Sequence, residues 1–308
     1  MSKIAFVFPG QGAQAVGMGK DVYEAVDASR AIIDSADAAL GFALSDIIFN
    51  GPEEKLKQTA NTQPALLAVS IALLEALKDR GIKPDFVAGH SLGEYSALVA
   101  AGSLSFADAV RTVRARGEFM EQAVPSGQGA MAAVLGAERE ALAALCASVS
   151  ADAGSVELAN VNCPGQIVVS GTAAGVQGVV ERGKEAGAKR VIPLEVSGPF
   201  HSSLMKPAAE KLAEVLSNVQ VNDAAVPVIA NVTAKPVTAA EEIRSLLTEQ
   251  VYSPVLWEDS VKYLIEQGVD TFVEIGSGTV LAGLIKKIDK SVTIISINSL
   301  EALKAVAL

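Results

Sequence analysis

The sequence predicts an α/β protein with a largely parallel, hydrolase-like sheet and an inserted ferredoxin-like subdomain. Three observations support this fold class: apolar strand-length runs alternate with helix-length segments, a serine stands in a strand–turn–helix motif, and a β-α-β-β-α-β order interrupts the alternation. The 308 residues exceed a single typical core and 50% of them are hydrophobic, so one large domain with a smaller insertion is expected.

Composition argues against several classes of protein. Mean hydropathy is +0.35, but alanine accounts for much of it, and no uninterrupted apolar stretch approaches the roughly 20 residues of a spanning helix, so no membrane segment is predicted. A net charge of −10 argues against nucleic acid as the main partner. Cys146 and Cys163 provide neither a disulfide framework nor a metal set. The apolar run at residues 4–8 is too short for a signal peptide, so a cytoplasmic protein is expected.

The first predicted strand, residues 4–8, runs directly into a glycine-rich loop. A short run that is apolar throughout is typical of a buried parallel strand. Gly10-x-Gly12-x-x-Ala15 is a degenerate dinucleotide fingerprint, but no strand ending in Asp or Glu follows about 20 residues later, so nucleotide binding is disfavoured. Such a loop can also bring a backbone N–H group to a ligand oxygen, and Gln11 is the candidate donor.

Two helices are predicted between this loop and the next strand. Residues 21–40 show helical spacing, and residues 64–80 show a stronger pattern, with Thr62 as a cap and Gly81 as a stop. Both helices are interpreted as scaffold, although Gln63 could also line a cleft.

The stretch at residues 85–101 carries the predicted chemistry. A short apolar strand at 86–88 meets the sequence GHSLG at 89–93, and a helix-forming segment follows at 94–101. Glycine two residues either side of Ser91 fits a nucleophile elbow, because the flanking backbones approach too closely for side chains. The serine hydroxyl then projects from the turn, and the N–H group of Leu92 points toward an oxyanion at the helix N-terminus.

A serine nucleophile needs a base, and the chain has only two histidines. His90 stands inside the turn beside Ser91 and is poorly placed to face its hydroxyl. His201 lies in a Gly- and Pro-punctuated loop at residues 196–202, which is a usual setting for a catalytic side chain, so it is the predicted base. A structural histidine with satisfied hydrogen bonds is the alternative interpretation of His201.

The next predicted helix begins at Ser105, with Asp108 as its capping-box partner. Its buried stripe consists of apolar and small residues: Phe106, Ala109, Val110, Val113, Gly117 and Met120. Arg116 falls beside this stripe and is directed inward, whereas Arg111 points to the opposite face. A substrate-binding role and a structural ion pair both remain open for Arg116 at this stage.

The inserted subdomain is predicted at residues 125–197, so that the α/β body comprises residues 1–124 and 198–308. Its ferredoxin-like order comes from six elements: a strand at 130–135, a helix at 138–149, strands at 156–162 and 166–170, a helix at 173–187 and a strand at 190–194. The body then resumes with helices at 204–218, 240–250, 258–267 and 279–288 and strands at 227–230, 271–274 and 292–297. The site is expected in the cleft between the two units.

Seven motifs stand in an order typical of one enzyme family: FPGQGAQ at residues 8–14, NTQPAL at 61–66, GHSLGEYSAL at 89–98, RG at 116–117, NCPGQIVVSG at 162–171, GPFHS at 198–202 and YSPVLW at 252–257. With these motifs the chain resembles, over essentially its whole length, the malonyl-CoA:acyl carrier protein transacylases of bacterial fatty-acid synthesis. The resemblance implies transfer of malonyl from malonyl-CoA to the pantetheine thiol of acyl carrier protein through a malonyl-serine ester, with no metal or bound cofactor. Serine at 277, where the family often has proline, is a mild departure.

The resemblance also implies the role of each site residue. Ser91 is the nucleophile, His201 its base, Arg116 the clamp for the malonyl carboxylate, the N–H groups of Gln11 and Leu92 the oxyanion hole, and the main-chain carbonyl of Gln250 the group that orients the histidine.

Carrier proteins of this pathway are acidic, so a chain of net charge −10 must meet them with local positive surface. Lys189-Arg190 and Lys286-Lys287 are the candidate patches beside the cleft, with ordinary solvated side chains as the alternative. Two other functions stay open. A serine thioesterase or lipase would share the elbow but would require an acidic residue as third member of its triad. In a non-enzymatic acyl-CoA or nucleotide-binding module, Ser91 would have no catalytic role.

Overall fold

A computed structural model of the chain describes all 308 residues. The ten strands, numbered along the chain, are β1 (Lys3–Phe8), β2 (Phe86–Gly89), β3 (Gly129–Leu135), β4 (Val156–Cys163), β5 (Gln166–Thr172), β6 (Arg190–Pro193), β7 (Val228–Ile229), β8 (Pro236–Val237), β9 (Val269–Ile275) and β10 (Thr293–Ile297). The fourteen α-helices are α1 (Lys20–Ala25), α2 (Asp27–Leu40), α3 (Leu44–Asn50), α4 (Glu53–Lys57), α5 (Thr59–Leu77), α6 (Gly93–Ala100), α7 (Phe106–Gln122), α8 (Arg139–Asp152), α9 (Ala173–Arg182), α10 (Lys206–Ser217), α11 (Ala240–Gln250), α12 (Trp257–Glu266), α13 (Val280–Ile288) and α14 (Leu300–Ala305).

The strands form two separate sheets, as the alternation of elements predicted. The larger sheet has the order β10-β9-β1-β2-β7-β8 and is parallel except for the β7–β8 pair. The smaller sheet has the order β4-β5-β3-β6 and is antiparallel throughout. The chain is therefore an α/β protein with a mostly parallel sheet and a separate antiparallel one.

The pairing of β1 with β2 places the two glycine-containing loops side by side. The strands are parallel, and Phe8 at the end of β1 pairs with Gly89 at the end of β2. Because parallel strands end at the same edge of a sheet, the loop after β1 and the turn after β2 meet there. This edge is where ligands bind in open α/β sheets.

Helix α5 packs in the centre of the body and is buried on nearly every face. Together with the 3₁₀ turn at Lys78–Arg80 it is long and apolar enough to span a membrane, but 94% of its apolar window is buried inside the fold, so it is a core helix. Its sequence is interrupted by polar residues, among them Ser70 and Glu75, so it is not an uninterrupted apolar stretch of the kind that the sequence expectation excluded.

The assignment of Thr62 as the cap of α5 was wrong, because the helix begins at Thr59 and Thr62 lies inside it. Pro64 cannot donate a backbone hydrogen bond, which leaves the Ala60 carbonyl without its usual helical partner. The guanidinium of Arg114 donates to that carbonyl at 3.0 Å and thereby compensates for the proline.

Other differences from the sequence expectation involve short elements. The segment predicted as one helix at 21–40 is two helices, α1 and α2, separated by extended backbone at Val26. Helices α3, α4 and α14 and strand β8 were not predicted. Each has seven residues or fewer, which is too short to establish a periodic pattern.

Three sets of contacts join the smaller sheet to the body beside the site. Val161 in β4 donates its N–H to the Val255 carbonyl at 2.9 Å, and the Val255 N–H donates to the Ala159 carbonyl of β4 at 2.8 Å. Glu157 accepts hydrogen bonds from the backbone and hydroxyl of Ser203. A bidentate pair joins Arg139 of α8 to Asp259 of α12, at 2.9 and 3.1 Å. One wall of the cleft is thus fixed to the body.

Candidate active site

Ser91 occupies the sharp turn between β2 and α6 in a left-handed backbone conformation, with φ of +51°. Such a conformation is uncommon for a residue with a side chain and is tolerated where the surroundings fix it. A Cβ atom on Gly89 would lie 1.9 Å from the carbonyl carbon of Gly93, and one on Gly93 would lie 2.1 Å from the Phe8 carbonyl oxygen. The two glycines are therefore required by the close approach of backbones, as predicted for an elbow.

The loop after β1 lies directly against this turn. A Cβ atom on Gly10 would lie 2.3 Å from the His90 carbonyl oxygen and 3.7 Å from the Leu92 nitrogen. The backbone N–H groups of Gln11 and Leu92 donate no hydrogen bond within the structure, and both residues line the cleft. The side chain of Gln11 donates to the Thr59 hydroxyl at 3.1 Å and is held back from the cleft centre by that bond.

Ser91 and His201 are hydrogen-bonded although 110 positions separate them in the chain. The Oγ atom of Ser91 lies 2.7 Å from Nε2 of His201, and Nδ1 of the same ring lies 2.8 Å from the main-chain oxygen of Gln250. A carbonyl oxygen can only accept, so Nδ1 carries the proton and Nε2 has a free lone pair toward the serine. Burial, reinforced by the positive charge of Arg116, lowers the pKa of His201 to about 3. The imidazole is therefore neutral at physiological pH and can accept a proton.

Arg116 is directed inward from α7, with 1% of its surface exposed. One terminal nitrogen donates to Gln63 Oε1 at 2.8 Å, and the other donates to Gln250 Oε1 at 2.9 Å and to Ser91 Oγ at 3.2 Å. Its Nε atom has no partner. No carboxylate forms a salt bridge with Arg116, so the structural ion pair considered from the sequence is not formed. A buried guanidinium with only neutral partners favours an anionic ligand.

The side chain of Gln250 lies behind the elbow, at the end of α11. Its Nε2 atom donates to the Ser91 carbonyl at 3.0 Å, to Glu94 Oε2 at 2.8 Å and to Asn231 Oδ1 at 3.1 Å. Asn231 in turn accepts from the Ser91 N–H at 2.8 Å and donates to the Gly89 carbonyl at 2.7 Å. The elbow is therefore held by a buried network of side-chain hydrogen bonds.

Comparison with known proteins identifies the family of this site. The family model of the acyl transferase domain matches residues 5–301. The chain belongs to this acyl transferase family. It is similar to the malonyl CoA-acyl carrier protein transacylase of Bacillus subtilis (strain 168), with 59% identity over 99% of this chain and 96% of the relative.

Solved structures of similar acyltransferases agree over the whole chain. The acyl-carrier-protein-S-malonyltransferase of Bartonella henselae matches with a TM-score of 0.96 and 45% identity over 98% of each chain. A malonyl-transacylase in complex with its type II PKS acyl-carrier protein matches with a TM-score of 0.95 and 43% identity, again over 98% of each chain.

The cleft of this acyltransferase has a volume of about 460 Å³, and it is lined by residues of the body and by residues of the smaller sheet and its connections. Six residues predicted from the sequence line it: Gln11, Gln63, Ser91, Leu92, Arg116 and His201. Gln250 does not line the cleft, but it accepts hydrogen bonds from Arg116 and His201, which do. The structure contains no group of three His, Cys, Asp or Glu side chains that could hold a metal ion.

The four basic residues predicted for docking are exposed and do not line the cleft. Lys286 and Lys287 lie in the last turn of α13, whose earlier residues Val280 and Leu284 line the cleft mouth. Lys189 and Arg190 lie at the start of β6, on the edge of the smaller sheet.

Sequence reasoning missed Glu94, Asn231 and Asn162. Asn162 Oδ1 accepts a hydrogen bond from Nε2 of His90 at 2.8 Å, so that ring nitrogen is bound to Asn162 and not to Ser91, which agrees with the exclusion of His90 as the base. A carboxylate inside the otherwise apolar helix α6 was the one available signal for Glu94, because a buried charge requires partners. No pattern in the sequence pointed to Asn231.

Proposed function

We propose that this acyltransferase transfers the malonyl group from malonyl-CoA to the pantetheine thiol of acyl carrier protein and so supplies fatty-acid synthesis. The observation that carries the proposal is that one cleft contains both a Ser–His pair and a buried arginine with no carboxylate partner. Arg116 Nη2 lies 3.2 Å from Ser91 Oγ. The names of the relatives and a solved complex of one similar transacylase with its carrier protein support it.

The first half-reaction forms a malonyl-serine ester. Ser91 Oγ attacks the thioester carbonyl carbon while its proton passes to Nε2 of His201, and the carbonyl oxygen becomes an oxyanion. The free N–H groups of Gln11 and Leu92 are proposed to stabilise that oxyanion. When the C–S bond breaks, the imidazolium returns its proton to the departing sulfur, and CoA leaves as the thiol.

The second half-reaction reverses these steps with a different thiol. The pantetheine thiol of the carrier protein gives its proton to His201 as its sulfur attacks the ester carbonyl. The ester C–O bond then breaks, and Ser91 leaves with the proton that the imidazolium returns. The Gln250 carbonyl is proposed to hold the ring in the required tautomer throughout, at 2.8 Å from Nδ1.

Arg116 is proposed to select malonyl by binding its free carboxylate. A guanidinium can form two parallel charge-assisted hydrogen bonds with a carboxylate, which are stronger than its present bonds to two amides and a hydroxyl. Gln63, which accepts from the other terminal nitrogen of Arg116, then helps to hold the guanidinium in place. Acetyl offers no such partner.

Further parts of the proposal concern architecture and partners. The domain division at 1–124 with 198–308 and at 125–197 is supported by the two sheets, and the ferredoxin-like and hydrolase-like descriptions by the β-α-β-β-α-β order and the elbow. Docking of the acidic carrier protein at Lys189-Arg190 and Lys286-Lys287 is supported by their exposure. Action in the cytoplasm, without nucleic acid or membrane as a partner, follows from the proposed reaction.

Intact mass after mixing with malonyl-CoA tests the proposal. A stable malonyl adduct that carrier protein removes means a transferase. Rapid release of free malonate would mean a hydrolase built on the same elbow, and absence of both would mean a binding module. Ser91→Ala is the control, because an adduct that persists in that variant lies on another residue.

A further inference from the structure

Glu94 is a buried charged residue at the site that the proposed mechanism does not use. It lies in the first turn of α6, three residues after Ser91, and only 2% of its surface is exposed. Burying a carboxylate is costly unless hydrogen bonds compensate, so its retention beside the nucleophile calls for a reason. We propose that Glu94 is a positioning residue, which orients Gln250 and through it both His201 and Arg116. The inference rests on the proposed function.

The contacts of the Gln250 amide determine its orientation. On one side, Glu94 Oε2 accepts from Gln250 Nε2 at 2.8 Å. On the other side, Arg116 donates to Gln250 Oε1 at 2.9 Å. A carboxylate oxygen accepts and a guanidinium can only donate, so the amide nitrogen must face Glu94 and the amide oxygen must face Arg116. Glu94 Oε2 is the nearest of the three acceptors around that nitrogen, since the Ser91 carbonyl lies at 3.0 Å and Asn231 Oδ1 at 3.1 Å.

Gln250 connects this amide to the catalytic histidine through its own backbone. Its main-chain oxygen accepts from His201 Nδ1 at 2.8 Å, so one residue holds the base by its carbonyl and the arginine by its side chain. A Ser–His pair usually has a carboxylate on the far side of the imidazole. Here Gln250 lies between His201 and the carboxylate of Glu94, so that carboxylate acts on the ring only by positioning Gln250.

A second contact of the same oxygen braces the nucleophile turn. Glu94 Oε2 also accepts from the backbone N–H of Asn231 at 3.1 Å. Asn231 then binds both sides of the turn, since its side chain accepts from the Ser91 N–H and donates to the Gly89 carbonyl. The backbone at Ser91 has a positive φ and depends on such support.

Acceptor geometry, and not charge, is the property that this role requires. Burial raises the pKa of Glu94 to about 7, against the hydrogen bonds and the Arg116 charge that lower it. Both protonation states are then populated near neutral pH, and each keeps an oxygen that can accept. A glutamine at 94 would keep such an oxygen at the same reach, whereas an aspartate would keep the charge and lose one methylene of reach.

Three variants separate these properties: Glu94→Gln keeps reach without charge, Glu94→Asp keeps charge without reach, and Glu94→Ala keeps neither. The readout is acyl-enzyme formation from malonyl-CoA and from acetyl-CoA. We expect Glu94→Gln to stay within about threefold of wild type, and the other two to lose about 10- to 100-fold with malonyl-CoA, because a displacement of about 1 Å has that effect. The malonyl-to-acetyl rate ratio should also fall about three- to tenfold in Glu94→Asp and Glu94→Ala, because Arg116 is no longer held by a fixed amide oxygen.

The rate ratio does not depend on how much of a sample is folded, so it decides the matter even if Glu94→Ala is unstable. Glu258→Gln is the matched control: it neutralises another buried carboxylate, and neither Glu258 nor its partners Lys262 and Arg139 line the cleft, so it should leave the ratio unchanged. The inference is overturned if Glu94→Asp keeps the wild-type rate and ratio, or if Glu94→Gln is as impaired as Glu94→Ala. If wild-type enzyme itself forms no malonyl adduct, the proposed function fails instead.

Discussion

Replacing Arg116 by alanine tests the basis of malonyl selectivity. The guanidinium is 1% exposed and its hydrogen bonds go to Gln63, Gln250 and Ser91, all of them neutral acceptors. In the variant, the carboxylate of bound malonyl would lie in the same buried space without a cation. Acetyl would leave no charge unpaired there.

The magnitude follows from this burial. Truncating one partner of a buried, hydrogen-bonded charge pair costs about 2 to 5 kcal/mol, part of it the penalty on the partner left alone. That range corresponds to a loss of about 30-fold to several thousand-fold in malonyl transfer. Solvent screening is weak there, because the guanidinium and its partners Gln63 and Gln250 are all buried. Lysine at 116 would keep the charge without the planar fork, so intermediate activity is expected.

The assay compares acyl-enzyme formation from malonyl-CoA and acetyl-CoA in wild type and in Arg116→Ala, by quenched-flow sampling and intact mass. Malonyl transfer should fall by the factor above, while acetyl transfer should fall little or rise. A rate ratio equal to that of wild type would refute the carboxylate clamp and leave Arg116 as a structural residue that supports Gln63 and Gln250.

Three further predictions concern the base, the docking surface and pH. Ser91→Ala and His201→Ala should each abolish most transfer, by about a thousandfold or more, with the double variant little worse; normal malonyl exchange in Ser91→Ala would exclude it as the nucleophile. Reversing Lys286 and Lys287 to Glu should raise the Michaelis constant for carrier protein about three- to tenfold and spare acylation by malonyl-CoA; equal loss in both half-reactions would count against docking. Because the pKa of His201 is about 3 in the free enzyme, its imidazole stays neutral above that pH, so kcat/KM for acylation by malonyl-pantetheine should stay level between about pH 8 and pH 5. The Glu94→Gln variant is used because it lacks the Glu94 carboxyl, whose pKa is about 7; a fall centred near 6.5 would indicate an ordinary imidazole.

Local sequence patterns were sufficient for the elements that carry the reaction. The elbow follows from two glycines at fixed spacing from Ser91, and the inward direction of Arg116 follows from helical periodicity in α7. Both features depend on residues within one turn or one helix. The alternation of strands and helices likewise predicted a mostly parallel sheet, because its central strands β1 and β2 contain short continuous apolar runs.

The partners within the site could not be predicted in this way, because they come from distant parts of the chain. The Gln250 side chain meets Glu94 across 156 positions and the Ser91 carbonyl across 159. No periodicity links such positions, and an amide at the end of a helix gives no sign of what it binds. The role of Gln250 came only from the family resemblance, and the contacts of its side chain required the structure.

In the proposed mechanism, Arg116 couples substrate recognition to the strength of the base. Its charge is the second-largest cause that lowers the pKa of His201, after burial. When a malonyl carboxylate pairs with the guanidinium, that charge is largely offset at the imidazole and the pKa of His201 should rise, although burial, the larger cause, still holds it below its usual range. A bound acetyl group leaves the charge in place, so the histidine remains a weak base when the wrong acyl group is present. The same reasoning explains why acetyl transfer can rise in Arg116→Ala. Removing the guanidinium removes one cause that lowers the pKa of His201, and acetyl has no carboxylate that would lose a partner.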